Sequence, residues 1–324
     1  MPWNTVPCHP TVATHVRRSL EAGRFSPSTL IYGPPGAGQE LVAVAAAQSL
    51  LCETVAADFC GTCSICRRVE EGIHPDVFHL HPRGVTYHIE QIREIQELAV
   101  HYPYESARRI FILHDCHRMN QESANSLLKS LEEPYEFNIF LLMTDTITAL
   151  LPTILSRCRK IRLLSMPIET LVEHYQTTLP PARALTLARL AGGLPVTAQQ
   201  WLDAGLFEQR EEWIERLKAL KEHEANVSRL VEPLAQDKTA LENHLVILLG
   251  LLRDGVLFTS GLQAAPFLHA DLLDEYATLW PPNRSEPLLA CFEQTLDALE
   301  GLRRYLNMNI VLTDLLTAIR NALA

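Results

Sequence analysis

The feature that most restricts the fold lies near the N-terminus. Thr29-Leu30-Ile31-Tyr32 reads as a short buried strand, Gly33-Pro34-Pro35-Gly36-Ala37-Gly38 as a tight loop, and about Glu40 to Leu51 as an Ala-rich helix. A strand that feeds a helix through glycines is the frame in which backbone N–H groups turn towards phosphate oxygens. In a working loop of that kind a Lys after the last glycine reaches the β- and γ-phosphates, and a neighbouring Ser or Thr holds magnesium. Here those two positions are Gln39 and Glu40. A neutral amide replaces the cation, and a carboxylate, which repels phosphate, replaces the hydroxyl. Gly33, Gly36 and Gly38 therefore read as a vestigial phosphate loop, the alternative being an ordinary Gly-Pro turn.

Four more runs have strand character: Asp76 to Leu80, Arg109 to Leu113, Asn138 to Met143 and Arg159 to Leu164. Helical patterns separate them, among them Ile89 to Val100 and Gln121 to Glu132. Strands alternating with helices predict a parallel sheet with helices on both faces. The other half of a nucleotide site would be an acidic pair at a strand end, positioning magnesium and the attacking water. The strand ending at Leu113 runs into His114-Asp115-Cys116-His117, with a single carboxylate. Two defects at two elements predict that the loop does not hydrolyse ATP, although its backbone cradle is compatible with weak nucleotide binding.

After Pro167 nearly every periodic stretch is helical. The expected organisation is an α/β domain over 1–165, a small helical domain over 166–207 and a larger helical domain over 208–324. In the last, Leu302, Tyr305, Leu306, Val311, Leu312, Leu315, Leu316 and Ile319 exceed one narrow apolar stripe, as a deeply buried or partner-sharing helix would.

Cys52, Cys60, Cys63 and Cys66 form C-x7-C-x2-C-x2-C within an insertion between a helix and a strand. Four thiolates suit tetrahedral zinc, and x2 spacing lets neighbouring sulfurs reach one ion. A closed four-thiolate site leaves no position for substrate, so the expected role is structural; an iron–sulfur cluster and free thiols are the alternatives. The net charge of -10 argues against a large DNA-binding face and makes another protein the default partner. No window carries the ~18 uninterrupted apolar residues of a membrane span, and Met1-Pro2-Trp3-Asn4 does not read as a secretory signal. A cytoplasmic chain is expected.

Several linked motifs resemble the clamp-loader subunits of bacterial DNA polymerase III, within the AAA+ (P-loop NTPase-like) class. They are the degenerate loop Gly33 to Glu40, the four-Cys insertion followed by Gly72-Ile73-His74-Pro75-Asp76, and Ile89-Glu90-Gln91-Ile92-Arg93-Glu94. Ala124-Asn125-Ser126-Leu127-Leu128-Lys129-Ser130-Leu131-Glu132-Glu133-Pro134 and Ser156-Arg157-Cys158 complete them. Leu306 to Leu312 is similar to the last collar helix, though less specifically. The missing loop Lys and acidic pair favour the delta-prime type over the gamma and tau ATPases. An active ATPase of gamma or tau type, and a zinc-stabilised helical scaffold unrelated to replication, are the other readings. The resemblance implies an AAA+ domain, a small helical lid and an all-α collar in a ring with gamma/tau ATPase subunits and a delta subunit. That ring loads the sliding clamp onto primed DNA. The resemblance also implies that Arg157 acts in trans as an arginine finger in a neighbour's ATPase site.

Overall fold

The computed structural model describes residues 2–222, 226–234, 238–262, 265–303 and 307–324. It divides into two compact units, Met1–Leu171 with Gly193–Thr197, and Val172–Gly192 with Ala198–Ala324.

In the first unit the order is α1 (Pro10–Glu21), β1 (Ser28–Tyr32), α2 (Gln39–Leu51), α3 (Ser64–Glu70), β2 (Val77–Leu80), α4 (Ile89–Ala99) and β3 (Arg109–Leu113). There follow α5 (Gln121–Glu132), β4 (Asn138–Thr144), α6 (Pro152–Arg157) and β5 (Arg159–Arg162). The five strands form one sheet in the order β2-β3-β4-β1-β5, and every pair is parallel. Side chains alternate across a strand, so a sheet covered on both faces needs apolar residues at successive positions. On one face Ile31, Ile110, Ile112, Ile139 and Leu141 pack with Val42, Ala43, Ala46 and Ala47 of α2 and Val12 and Val16 of α1. On the other, Leu30, Phe111, Leu113, Phe140 and Leu142 pack with Ile92 and Ile95 of α4, Leu127 and Leu131 of α5 and Ile154 of α6. The small side chains of α2 allow that helix to lie close to the sheet, directly behind the glycine loop.

Local chemistry sets the helix ends. The Asn120 side chain accepts from Ser123 N at 2.8 Å and starts α5. Gly38, with φ of +92°, precedes α2 and supplies no side-chain cap, so the first amides of α2 are left to the loop.

The second unit is all helical. Its elements are α7 (Ile168–Tyr175, from Val172 onward), α8 (Pro181–Leu190), α9 (Pro195–Asp203, from Ala198 onward) and α10 (Leu206–Lys221). After them come α11 (Val227–Leu234), α12 (Lys238–Thr259), α13 (Leu273–Leu279), α14 (Ser285–Arg303) and α15 (Met308–Leu323). Helix α14 packs along both α12 and α15. Of the wide apolar stripe expected at the C-terminus, Leu302, Leu312, Leu315, Leu316 and Ile319 are buried within this chain and Val311 is half-buried. Tyr305 and Leu306 lie outside the described residues. Two polar clusters are set into this unit. Asp254, fully buried, accepts from the amides of Leu268 and His269 and from Tyr276 Oη. Arg210 makes a two-pronged ion pair with Asp271, both contacts 2.7 Å, and is 2% exposed. No helix of the described residues is long and apolar enough to cross a membrane.

Candidate functional site

The glycine loop is held in place from several directions. Its glycines are spent on close approach: a Cβ on Gly36, whose φ is +81°, would overlap the Thr197 hydroxyl, and one on Gly33 would overlap Leu163. Val196 N donates to Gly36 O at 3.0 Å, so the Gly193–Thr197 segment lies directly on the loop. Gln39 is the residue that follows Gly38, the last glycine of the loop. Its Nε2 turns back and donates to Gly33 O at 2.9 Å and Pro34 O at 3.1 Å. That side chain closes the loop on itself.

Beyond β3, His114, Cys116 and His117 point to three different places. The Cys116 thiol donates to Leu113 O at 3.3 Å and is fully buried; burial raises its pKa well above the usual thiol range. His117 Nδ1 lies 3.1 Å from Thr144 Oγ1 and 3.2 Å from Asp145. His114, 7% exposed, meets His79 of β2. Burial, then the neighbouring His81 and His79, pushes His114 down to about 3, so its ring is neutral at physiological pH. Tyr87 Oη donates to the carbonyls of both Leu80 and His114 at 2.6 Å, tying the ends of β2 and β3 together. Asp115 sits at the left-handed φ of 47°, a conformation Asp tolerates better than most residues.

The four cysteines come together. Cys52 caps the end of α2, Cys63 caps the start of α3, and their ligand atoms with those of Cys60 and Cys66 all lie within 4.8 Å of one another. Gly61, at φ +70°, makes the turn between Cys60 and Cys63. The Cys60 sulfur accepts from Cys63 N at 3.2 Å and Thr62 N at 3.4 Å, and the Cys63 sulfur from Cys66 N at 3.4 Å. Amides aimed at sulfur stabilise a thiolate. Hydrogen bonds from the Thr54 side chain and from these amides hold Cys60 down at about 5. Cys60 and Cys66 sulfurs stand 3.9 Å apart. A tetrahedron with metal–sulfur bonds of about 2.3 Å has edges of about 3.8 Å. Gln48 Nε2 donates to Cys66 O at 2.9 Å and fixes the knuckle to α2.

Arg157 ends α6, one residue before β5, and among the described strands β5 is the sheet edge beside β1. Its Nε donates to Glu132 at 3.2 Å and its Nη1 to Thr153 O at 3.1 Å, and its side chain is 28% exposed. Ser156 bonds back to Thr153 O within the helix, and Cys158 is buried against the sheet.

Family comparisons bear on both units. A family model described as DNA polymerase III, delta subunit, matches residues 8–167. A second, DNA polymerase III, delta subunit, C terminal, matches residues 204–321. The chain belongs to the DNA polymerase III delta-subunit family. Within the family, the DNA polymerase III subunit delta' of Pseudomonas aeruginosa is 36% identical over 63% of this chain, and that match spans 64% of the relative's own length. The Escherichia coli subunit delta' is 28% identical over 94% of this chain and 92% of its own. The Escherichia coli subunit tau is 31% identical over 56% of this chain and only 29% of its own.

Three features of this family member are not evident from local pattern. Thr197, which covers the loop at Gly36, lies some 160 residues beyond it in a stretch without a motif. The alternating His79-Leu80-His81 at the end of β2 is a signal that such rings share a face, but its partner His114 is visible only once β2 and β3 pair. Asp76, buried before β2, accepts the amides of Tyr104, Glu105 and Ser106, and so folds the loop ahead of β3 onto the sheet.

Proposed function

We propose that this chain is a delta-prime-type subunit of the DNA polymerase III clamp loader, which loads the sliding clamp onto primed DNA. It does not hydrolyse ATP itself and contributes Arg157 in trans to the site of a neighbouring ATPase subunit. The observation that carries this reading is the posture of Gln39, which stands where the catalytic Lys would and is spent on the loop's own carbonyls. His114 in place of an acidic residue at the end of β3 supports it from the other side of the site. The nucleotide cradle of Gly33, Gly36 and Gly38 is then a scaffold for subunit packing.

Arg157 supports the second part of the reading. A guanidinium is permanently charged and planar, and it can bind two oxygens of a γ-phosphate as charge develops in the transition state. A trans-acting Arg accelerates phosphoryl transfer by roughly 10³–10⁵. The residue lies at the sheet's edge, at the end of a short helix, where a second subunit has access.

In the same reading Cys52, Cys60, Cys63 and Cys66 hold one structural zinc, which the all-sulfur donor set and spacing suit. The partners are the gamma/tau ATPase subunits and the delta subunit, with the clamp and DNA engaged through the complex in the cytoplasm. Residues 166–207 serve as the lid and 208–324 as the collar. Because α15 buries much of its apolar stripe internally, the collar contacts other subunits through the remaining helix surfaces.

The test is reconstitution with the ATPase and delta subunits, measuring DNA- and clamp-stimulated ATP hydrolysis and clamp loading. The isolated chain is expected to be inactive, and the complex carrying Arg157→Ala to assemble normally but load slowly. Loading at the unmodified rate would remove the trans-acting role.

A further inference from the structure

The end of the vestigial nucleotide site brings together three side chains that composition alone would not associate. Glu40 is in the first turn of α2, His79 is on β2 and His114 follows β3. One ligand atom from each lies within 4.8 Å of the other two. His79 Nδ1 and His114 Nε2 are 3.2 Å apart. Two nitrogens bound to one tetrahedral ion at about 2.0–2.1 Å are separated by about 3.3 Å, so the spacing of the two rings is already that of a coordination edge.

The rings are held. His81 stacks on His114 with centroids 3.8 Å apart, and the Tyr87 hydroxyl grips the His114 carbonyl. The other nitrogen of His79, Nε2, is buried without a hydrogen-bond partner, and Nδ1 faces only His114 Nε2, its hydrogen-bond partner when no ion lies between them. Glu40 is exposed, and its carboxylate lies within 4.8 Å of the pair.

The position of the trio has a chemical logic. In a working phosphate loop the residue at position 40 is the Ser or Thr that holds magnesium, and the end of β3 supplies the acid that positions it. Magnesium demands an octahedral shell of oxygens. Two imidazoles and a carboxylate are instead the donor set of zinc and its neighbours in the transition series, with one position left for water. The substitutions that remove magnesium–nucleotide chemistry therefore do not leave a random polar remnant. They replace one coordination set with another at the same place in the fold.

We propose that Glu40, His79 and His114 bind one zinc-class divalent cation. The ion joins the start of α2 to the ends of β2 and β3, locking the loop in the conformation that a bound nucleotide would otherwise stabilise. The inference is independent of the cysteine cluster and of the clamp-loading role.

The experiment uses the full-length chain, stripped with chelator, reloaded with zinc chloride and desalted, with metal per chain measured by mass spectrometry. The unmodified protein should retain one equivalent more than His79→Ala. Glu40→Gln, a change on the surface, should bind zinc about tenfold more weakly or worse, in line with the cost of losing a ligand or its support. The double variant Cys60→Ser, Cys63→Ser should keep the additional equivalent. When it is loaded with cobalt, its spectrum should show no thiolate-to-metal band, marking a sulfur-free site. Should the cysteines hold no zinc, every total falls equally and the difference between the unmodified protein and His79→Ala is untouched. Equal zinc content in those two proteins would overturn the proposal. So would an unchanged affinity in Glu40→Gln, which remains decisive if His79→Ala fails to fold.

Discussion

Glu132 holds Arg157: the carboxylate at the end of α5 accepts from the guanidinium Nε at 3.2 Å, while Thr153 O accepts from Nη1 at 3.1 Å. The two bonds set the direction of the guanidinium, while the side chain stays 28% exposed. An exposed pair of this kind contributes only about 0.2–1 kcal/mol to stability.

Arg157→Ala should accordingly leave thermal stability and assembly with partner subunits nearly unchanged while lowering the ATPase of the reconstituted complex at one site. Arg157→Lys should rescue little, because a point charge lacks the fork. Glu132→Ala should give a milder loss with the same pattern. A full ATPase rate with Arg157→Lys would show that charge alone suffices.

Gln39→Ala removes two donations to loop carbonyls and should cost about 1 kcal/mol, a fall of about 2–4 °C in Tm for a unit of this size. Gln39→Lys should not restore ATP turnover to the isolated chain, since Glu40 and His114 remain where the magnesium side would be. Steady-state phosphate release by the purified protein checks this, and turnover by Gln39→Lys would mean that the loop lacks only its cation.

Cys63→Ser should remove both a sulfur ligand and the cap of α3. Metal binding at such a site is folding free energy, so the unit holding the sheet should lose on the order of 3 kcal/mol or more, a Tm decrease of about 10 °C. A chelator should destabilise the unmodified protein in the same direction and have little further effect on the variant. Calorimetry with and without chelator reads both.

The helical unit should show its own acid sensitivity. Burial, and next to it Arg210, pushes His269 down to about 3, with Arg253 adding to the effect and Asp271 opposing it. In the unfolded chain the imidazole titrates near 6.5. Between those values the unfolded state binds the extra proton. The contribution is therefore complete above about pH 6.5 and declines as pH falls towards 3. Urea midpoints should drop more steeply from about pH 7 to about pH 4.5 for the unmodified protein than for His269→Gln. Parallel slopes would show that another group carries the dependence.

Much of the first unit was legible in the chain because its signals are local. The alternation of apolar runs with helical patterns specified a parallel sheet, and all five strand regions formed. Helix α5 runs from Gln121 to Glu132, where the pattern had put it, because the Asn120 cap and the Leu127 and Leu131 face are consecutive in sequence. The Cys60, Cys63 and Cys66 sulfurs meet because x2 spacing needs nothing but a turn and the first turn of a helix. Gln39 and Glu40 could be read against a phosphate-loop pattern because such a loop counts its residues from its own glycines. What the chain alone left open is what depends on remote segments meeting. Cys116 and His117, close to His114 in sequence, turn elsewhere. The partner of His114 is instead His79, 35 residues earlier, brought there by the register that sets Leu80 beside Leu113. Thr197 closes over Gly36, and Glu132 finds Arg157, for the same reason. Periodicity and spacing act over a few residues along the backbone, whereas these contacts exist only after burial of two apolar sheet faces has chosen the strand order and fixed the register.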